Sequence, residues 1–313
     1  MLKGRNVIIS TVDPDGIYYL GPEGSFSHEA ALKVKEAYTS KSSISEIFDG
    51  VSKGALGVVP VENTLEGPVN ETLVSKSSIS EIFDGVSKGA LGVVPVENTL
   101  EGPVNETLDN LYARDEIYVN RRIDIKIDLV LAASPDAKKE SIERVYSHNH
   151  AIHEAKRTLS RLGFVNFVPV ASTSKAAQLA SEDIKSAAVC SRLAAQIYGL
   201  KILHDSIQDG LNITRFLVIS KELSENGERT ILLFTVPDKP GSLYKVLEKF
   251  YLHNINLSMI YSRPTRKIPW NYYFYLEYEG DMISSKHSGL LNELRQATQE
   301  LKPKGSYTFL NPT

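Results

Sequence analysis

Cysteine is almost absent: Cys190 is the single one in 313 residues. One thiol closes no intrachain disulfide and builds no thiolate metal cluster. Its scarcity fits a reducing compartment, so a cytoplasmic location is expected. No apolar run approaches the roughly 18–20 residues that cross a bilayer, and the apolar stretch of the N-terminal MLKGRNVIIS is too short for a secretory signal. Neither sign of charge dominates, with 35 Lys and Arg against 38 Asp and Glu. Nucleic acid and anionic membranes are therefore not expected as partners. A GxxxxGK(S/T) phosphate loop, a GxGxxG dinucleotide fingerprint and a GxSxG nucleophile elbow are all missing. What remains is chemistry without a cofactor.

The composition that is present, 42% hydrophobic and 23% charged, is that of a packed globular chain long enough for two or three domains. Its oddest feature is a repeat. Ser40–Leu73 and Ser75–Leu108 are identical over 34 residues, and Val74 against Asp109 is the first corresponding pair to differ. A helical solenoid is excluded, because it needs about three diverged units to bury its faces. The unit also mixes a helical stripe (Ile44, Ile47, Phe48, Val51) with a strand-like run (Leu56, Val58, Val59, Val61). Two perfect copies of an α/β fragment mark a recent tandem duplication or a sequence error, with one copy surplus. The residues after each copy tell the two apart. In the second, Val104, Leu108, Leu111 and Tyr112 continue one helical face; in the first, Val69 and Leu73 run into VSKSS and the stripe ends. The second copy is expected in the fold, and 40–74 is expected to be the insertion.

Around the repeat the pattern is α/β. IYYLGPEGSFS at 17–27 reads as strand, glycine turn and serine N-cap, with Ala30, Ala31 and Val34 on one face of the next helix. Such a unit aims backbone N–H groups at an anion. IYVNRRIDIKIDLVLAA, from Ile117, alternates and then turns solidly apolar, which predicts one long strand. Helix 149–162, strand 164–171, helix 173–182, strand 186–190 and helix 191–198 come after it, with a returning strand at 216–219. Beyond a polar linker at 221–228, strand, helix, two strands, helix and strand give βαββαβ, a ferredoxin-like sandwich. Its helices carry the stripes Leu243, Val246, Leu247, Phe250, Tyr251 and Leu290, Leu294, Ala297, Leu301; one strand aligns Tyr272, Phe274, Leu276 and Tyr278.

Two constellations could carry chemistry. His150, His153 and Glu154 share one helix face, but no second ligand group accompanies them, so no metal is expected. In NITRF, Asn212–Phe216, Thr214 and Arg215 lie where a loop enters an apolar strand. A guanidinium forks onto a carboxylate, and a threonine hydroxyl donates without adding charge. Glu97, Asn98, Thr99, Ser172, Thr173 and Ser25 also follow strands or open helices, which is where open α/β sheets bind ligands.

Taken in order, YYLGPEGSFSHEAAL, GVVPVENTLEGPVNETLD, YSH, STSKAA, AAVCSRLAAQIYGLKIL, IQDGLNITRF, PGSL, INLSMIYSRP, YFYLEYEG and GSY resemble the monofunctional prephenate dehydratases with a C-terminal ACT domain. The resemblance runs from about Ile17 to Tyr307. It implies two α/β subdomains with a cleft between them, as in periplasmic binding proteins, and a ferredoxin-like ACT domain. Subdomain 1 would be 17–125 and 200–222, subdomain 2 126–199, and the ACT domain 229–310. Residues 1–16 are an extension outside the pattern, and 40–74 a duplicated insertion of 75–109. The implied reaction is prephenate to phenylpyruvate, water and CO2, in a homodimer or homotetramer with L-phenylalanine as effector and no cofactor.

Carried over residue by residue, the resemblance makes Thr214, Asn98 (Asn63 in the other copy) and Ser147 catalytic. Arg215, Phe216, Ser172, Thr173, Glu97, Thr99, Gly24 and Ser25 would bind substrate. Pro240, Gly241, Ser242, Leu243 and Asn256, with Ser262, Arg263 and Pro264, would form the effector site. Five positions depart from the pattern. Asn149 and His150 replace a Pro-Gln pair, and Glu154 replaces a further glutamine. A carboxylate there would repel a dianion unless protonated or turned away, which keeps Glu154 out of the catalytic set. Tyr261 stands where the ACT motif Glu-Ser-Arg-Pro begins, and Ser242 replaces the alanine of Gly-Ala-Leu. Arogenate dehydratase and an inactive amino-acid sensor are the competing readings; the intact Thr214-Arg215-Phe216 speaks against the sensor.

Overall fold

The structure is a computed structural model that describes residues 17–39, 73–266, 270–283 and 289–310. The extension 1–16, the first-copy stripe and run at 44–61, and Asn63 lie outside the described residues. Residues 17–39 and the second copy supply the first elements of the first subdomain, but the expected insertion 40–74 reaches too far: Leu73 and Val74 pair with Ile17 and Tyr18 inside the sheet. Strand β1 (Ile17–Leu20) leads into α1 (Phe26–Thr39), and β2 (Leu73–Lys76) into α2 (Ile79–Ser87). Next come β3 (Leu91–Asn98), the short β4 (Gly102–Pro103) and α3 (Asn105–Ala113). Both β2 and β3 pair with β1 in parallel, so β2 and β3 need the crossover that α2 provides. Ser78 starts that helix by accepting from the Glu81 N–H, and Ile79, Ile82, Phe83 and Val86 are its buried stripe. The apolar run of β3 is buried on both faces. At Gly92 an added Cβ would sit 2.8 Å from Ile219, Ile82 and Val86 side-chain atoms, so only glycine lets helix and sheet close.

The expected long strand from Ile117 is two strands in different sheets. It divides into β5 (Tyr118–Lys126) and β6 (Leu129–Ala133). At the break the Ile127 N–H donates to the Asn212 carbonyl at 2.9 Å, so the outgoing chain is tied beside the returning one. Alternation giving way to a solid apolar run marks the step from one sheet to the other. Subdomain 2 continues with β7 (Arg144–Ser147), α4 (Asn149–Arg161), β8 (Phe167–Pro169), α5 (Thr173–Glu182), β9 (Ser186–Ser191), α6 (Arg192–Ile197) and β10 (Lys201–His204). Its sheet order is β10-β6-β9-β7-β8. The expected boundary at residue 200 put β10 with subdomain 1; its antiparallel pairing of Ile202 with Ala132 puts it in subdomain 2. The chain returns in β11 (Ile213–Ser220), antiparallel to both β3 and β5.

The C-terminal domain is βαββαβ: β12 (Arg229–Thr235), α7 (Ser242–Leu252), β13 (Leu257–Pro264), β14 (Tyr272–Glu279), α8 (Leu290–Ala297) and β15 (Glu300–Phe309). Leu301 belongs to β15 rather than to the helix, and Tyr251 is 81% exposed on α7. On β14, Phe274, Leu276 and Tyr278 pack under the two helices, while Tyr273 and Tyr275 join the core of subdomain 1. Helical cover on one face and a second domain on the other explain a strand buried on both sides. Through β15, whose Thr308 and Phe309 pair in parallel with Arg121 and Arg122 of β5, the ACT sheet and the first catalytic sheet become one ten-stranded sheet.

Candidate active site

The parallel strands β1 and β3 end at Leu20 and Asn98, and β7 and β9 of subdomain 2 end at Ser147 and Ser191. These carboxyl ends are where loops and helix starts collect in both halves. Asn98 and Thr214 are direct partners across the β3–β11 ladder. Asn98 Oδ1 accepts from the backbone N–H groups of Leu100 at 2.8 Å and Glu101 at 3.1 Å. This turn fixes which end of the amide is oxygen. Asn98 Nδ2 therefore faces β11 and donates to Thr214 Oγ1 at 2.9 Å and to Asn212 Oδ1 at 2.6 Å. Since Thr214 Oγ1 accepts from Asn98, its own hydrogen is left to donate elsewhere, and among the described residues no acceptor takes it.

Asn212 is 2% exposed and stands within the NITRF motif, yet no role was expected of it. Thr99 supports it, donating to Asn212 Oδ1 at 3.4 Å and accepting from the Ile213 N–H at 3.0 Å. Subdomain 2 reaches the same place through α4. The Glu154 carboxyl lies against Asn212; burial raises its affinity for a proton, and Glu101 adds to this, while Asn212 and His150 oppose it. His150 pairs with Glu101 of subdomain 1 across the cleft, and its ring stacks on His148 at 5.0 Å. Burial, with His150 beside it, lowers the pKa of His148. Glu154, set aside in the sequence as a repulsive departure, is thus next to the Asn98–Thr214 pair. Among the described residues no three His, Cys, Asp or Glu side chains gather to hold a metal ion.

The glycine loop closes the other side. Gly24 has φ +79°, and an added Cβ would meet Ala194 Cα of α6 at 2.8 Å. Ser191 donates to the Gly24 carbonyl at 2.6 Å, and Ser174 donates to the Glu23 carbonyl. The Gly24 N–H is taken by His28 Nδ1 at 3.0 Å, so it is not free for an anion. Ser25 and Ser172 cap α1 and α5, accepting from the N–H groups of His28 and Lys175; Thr173 opens α5.

Several expected contacts fall elsewhere. Ser147 is fully buried, and its hydroxyl donates to the Val189 carbonyl at 2.7 Å, which secures the end of β7 instead of facing the cleft. Phe216 is 2% exposed within the core and offers no surface to a ligand. Along β11, alternation puts Thr214 and Phe216 on one face and Arg215 on the other, with Leu217 and Ile219, toward the ACT domain. There Arg215 Nη1 meets Glu97 Oε2 at 2.5 Å, and the other Glu97 oxygen accepts from the Tyr261 hydroxyl of β13 at 2.6 Å. Both Glu97 oxygens are thus taken, and Arg215 commits Nη1 to this pair on the face opposite Thr214. In the ACT domain, Arg263 turns inward onto Asp109 of α3, at 2.8 Å, while Ser262 and Pro264 face outward. Pro240–Leu243 form the turn into α7, with Gly241 at φ 82°, and Asn256 donates to Glu279 at 3.2 Å.

A threonine proton held out by an amide network, next to a carboxyl whose proton affinity burial raises, suits protonation of a leaving oxygen. A model of the prephenate dehydratase family matches residues 17–75 and 72–224, well over half the chain. The chain belongs to the prephenate dehydratase family. Each matched stretch of this dehydratase takes in one repeat copy, and an ACT domain model matches residues 230–281. It is 39% identical over 300 residues to the bifunctional chorismate mutase/prephenate dehydratase of Aquifex aeolicus, covering 93% of this chain and 73% of that protein. An Arabidopsis thaliana chloroplastic arogenate dehydratase/prephenate dehydratase is 30% identical, covering 93% and 72%. The prephenate dehydratase from Arthrobacter aurescens, in complex with L-Phe, superposes with a TM-score of 0.74 at 27% identity over 95% of this chain and 92% of that one.

Proposed function

We infer that this dehydratase converts prephenate to phenylpyruvate by decarboxylative dehydration. The bond from ring C1 to its carboxylate breaks, its electron pair moves through the ring, and the C4–O bond breaks. One proton carries the hydroxyl away as water, and the ring becomes aromatic. The observation that carries this reading is the donation from Asn98 Nδ2 to Thr214 Oγ1 at 2.9 Å. It leaves the Thr214 proton to meet the C4 oxygen as negative charge grows there, which is where a positioned donor lowers a barrier most. Thr214 acts as a hydrogen-bond donor, and Glu154, whose proton affinity burial raises, is the carboxyl nearby. Incubating the purified chain with prephenate and measuring phenylpyruvate tests this; no product from folded protein overturns it.

One observation favours arogenate as a second substrate. When ionised, the Glu154 carboxylate beside Asn212 would repel a keto diacid but could pair with the ammonium that arogenate carries. Comparing kcat/KM for the two substrates separates the readings. L-phenylalanine fits the turn at Pro240–Leu243 as effector, and calorimetric titration tests it. Ile260, Trp270 and Tyr272, 40%, 86% and 44% exposed, lie on and beside the edge strand β13 and support assembly through the ACT domain into a homodimer or homotetramer. Light scattering would report that mass. Within these 313 residues the activity is read as dehydratase alone, in the cytoplasm, so chorismate should not be consumed.

A further inference from the structure

Two adjacent rungs of the β3–β11 ladder point to opposite faces of the sheet. Thr214 opposite Asn98 belongs to the cleft, and Arg215 opposite Glu97 belongs to the ACT interface. The register slips between Arg215 and Phe216, leaving Val96 as the extra residue on β3. A bulge loosens the ladder and sets the direction of the side chains beside it. The rung next to the reacting threonine is therefore not held by a regular ladder on that side. What holds it is a carboxylate shared by two domains. Glu97 receives Arg215 on one oxygen at 2.5 Å and Tyr261 on the other at 2.6 Å. All three groups are half-buried, where such bonds are strengthened.

We propose that Tyr261, Glu97 and Arg215 form a positioning relay by which the ACT domain fixes the Asn98–Thr214 pair, making Tyr261 a remote part of the active site. The proposal rests on the dehydratase reading of the cleft. The relay touches no substrate atom: it fixes Asn98 and Thr214 through the residues covalently next to them. Burial and the Glu97 carboxylate push the Tyr261 hydroxyl up to about 12, so it stays a donor throughout the working range. A phenol at this position reaches Glu97 and gives up a hydrogen bond; a carboxylate there would repel it.

The test compares full-length wild type, Tyr261→Phe, Glu97→Gln, the double variant and Asp109→Asn on prephenate. Asp109→Asn weakens a different contact between the same domains, where Arg263 and Tyr273 bind at 2.8 and 2.7 Å. Tyr261→Phe should lower kcat about threefold to tenfold, the loss expected for one charge-assisted hydrogen bond, with KM within about twofold. The double variant should be no slower than Glu97→Gln, since both changes break one relay. Asp109→Asn should lower Tm while kcat stays within about twofold. A folded Tyr261→Phe with wild-type kcat overturns the relay, as does an equal kcat loss in Asp109→Asn. If Glu97→Gln does not fold, the comparison of Tyr261→Phe with Asp109→Asn decides. A wild type that makes no phenylpyruvate overturns the dehydratase reading and the relay together; failure of the relay alone leaves wild-type turnover intact.

Discussion

Replacing Thr214 by valine removes one hydroxyl and keeps a β-branched side chain of nearly the same shape on β11. The ladder to β3 and β5 does not involve the side chain, so the strand should stay. Asn98 Nδ2 keeps Asn212 Oδ1 at 2.6 Å, and its other N–H, which loses Thr214 Oγ1, belongs to a half-buried side chain at the cleft. The stability cost is then that of one ordinary hydrogen bond, about 1 kcal/mol, or a Tm lower by roughly 2–4 °C. The catalytic cost is larger. Removing one preorganised donor from a developing negative charge lowers kcat by about 10²–10³, roughly 3–4 kcal/mol, and leaves KM nearly unchanged because the ground state hardly uses the bond. Steady-state phenylpyruvate formation with a parallel thermal melt reads both costs. Thr214→Ser restores a hydroxyl and should return to within about tenfold of wild type. A folded Thr214→Val with kcat within about threefold of wild type would refute the donor role. So would a serine variant as slow as the valine.

Burial holds the Glu154 carboxyl above the usual carboxylate range, so it is neutral at low pH and ionises as pH rises through that raised value. In wild type KM for prephenate should therefore rise about threefold to tenfold with pH as the charge appears, and Glu154→Gln should flatten the curve; an unchanged pH dependence would remove Glu154 from the cleft chemistry. Gly24→Ala places a Cβ at φ +79° and 2.8 Å from Ala194 Cα, so it should open the contact between loop and α6 and lower both kcat/KM and Tm, by about 2 kcal/mol or more in stability. Lys304 is fully buried, donates to the Arg114 and Ile117 carbonyls, and is pushed down to about 8 by burial. Because its folded value lies below its unfolded one, the unfolded chain binds more protons above about pH 8, and stability gained from this group rises as pH climbs toward about 10. The Tm of wild type relative to Lys304→Met should increase over that range, and a constant difference would show that the lysine is not neutralised by burial.

The fold was legible where one face decides burial. The stripes of α2 and α3 and the βαββαβ order of the ACT domain follow from period and turn residues alone. It was less legible where a strand is buried on both sides: Tyr273 and Tyr275 of β14 look like a solvent face until the catalytic subdomain covers them. The break at Ile127 was hidden for a related reason, since an apolar run reads the same whether it stays in one sheet or crosses to another. Motif order picked out Asn98 and Thr214, which the structure pairs, but strand alternation and a bulge decide which neighbours share their face. That is why Arg215 and Glu97, beside them in sequence, point to the ACT domain. Glu154 came from a sequence argument that left its surroundings open: burial raises its proton affinity, and it lies against Asn212.

Identity over 34 residues means that nothing inside the two copies can choose which of them builds the sheet. What differ are the residues that flank each copy, Thr39 and Val74 before them and Val74 and Asp109 after them. After the second copy comes Asp109, which accepts from Arg263 at 3.1 and 2.8 Å and from Tyr273 at 2.7 Å, with Arg266 at 3.1 Å. Burial alone would raise the Asp109 pKa, but the hydrogen bonds from Arg263 and Tyr273 bring it below the usual range, so it meets both guanidiniums as an anion. After the first copy the same position is Val74, which offers no acceptor and would leave Arg263 facing an apolar side chain. Val74 instead lies in β2 opposite Tyr18, where a β-branched residue fits a strand. The next turn of helix reinforces the difference: only the second copy runs on to Leu111 and Tyr112, whose ring stacks on Tyr273 at 4.1 Å and whose hydroxyl donates to Glu300 at 2.8 Å. Local propensity is the same for both copies. The residue after the second copy makes this contact with the ACT domain, about 150 residues further along the chain, and the valine after the first copy has no side-chain acceptor with which to make it.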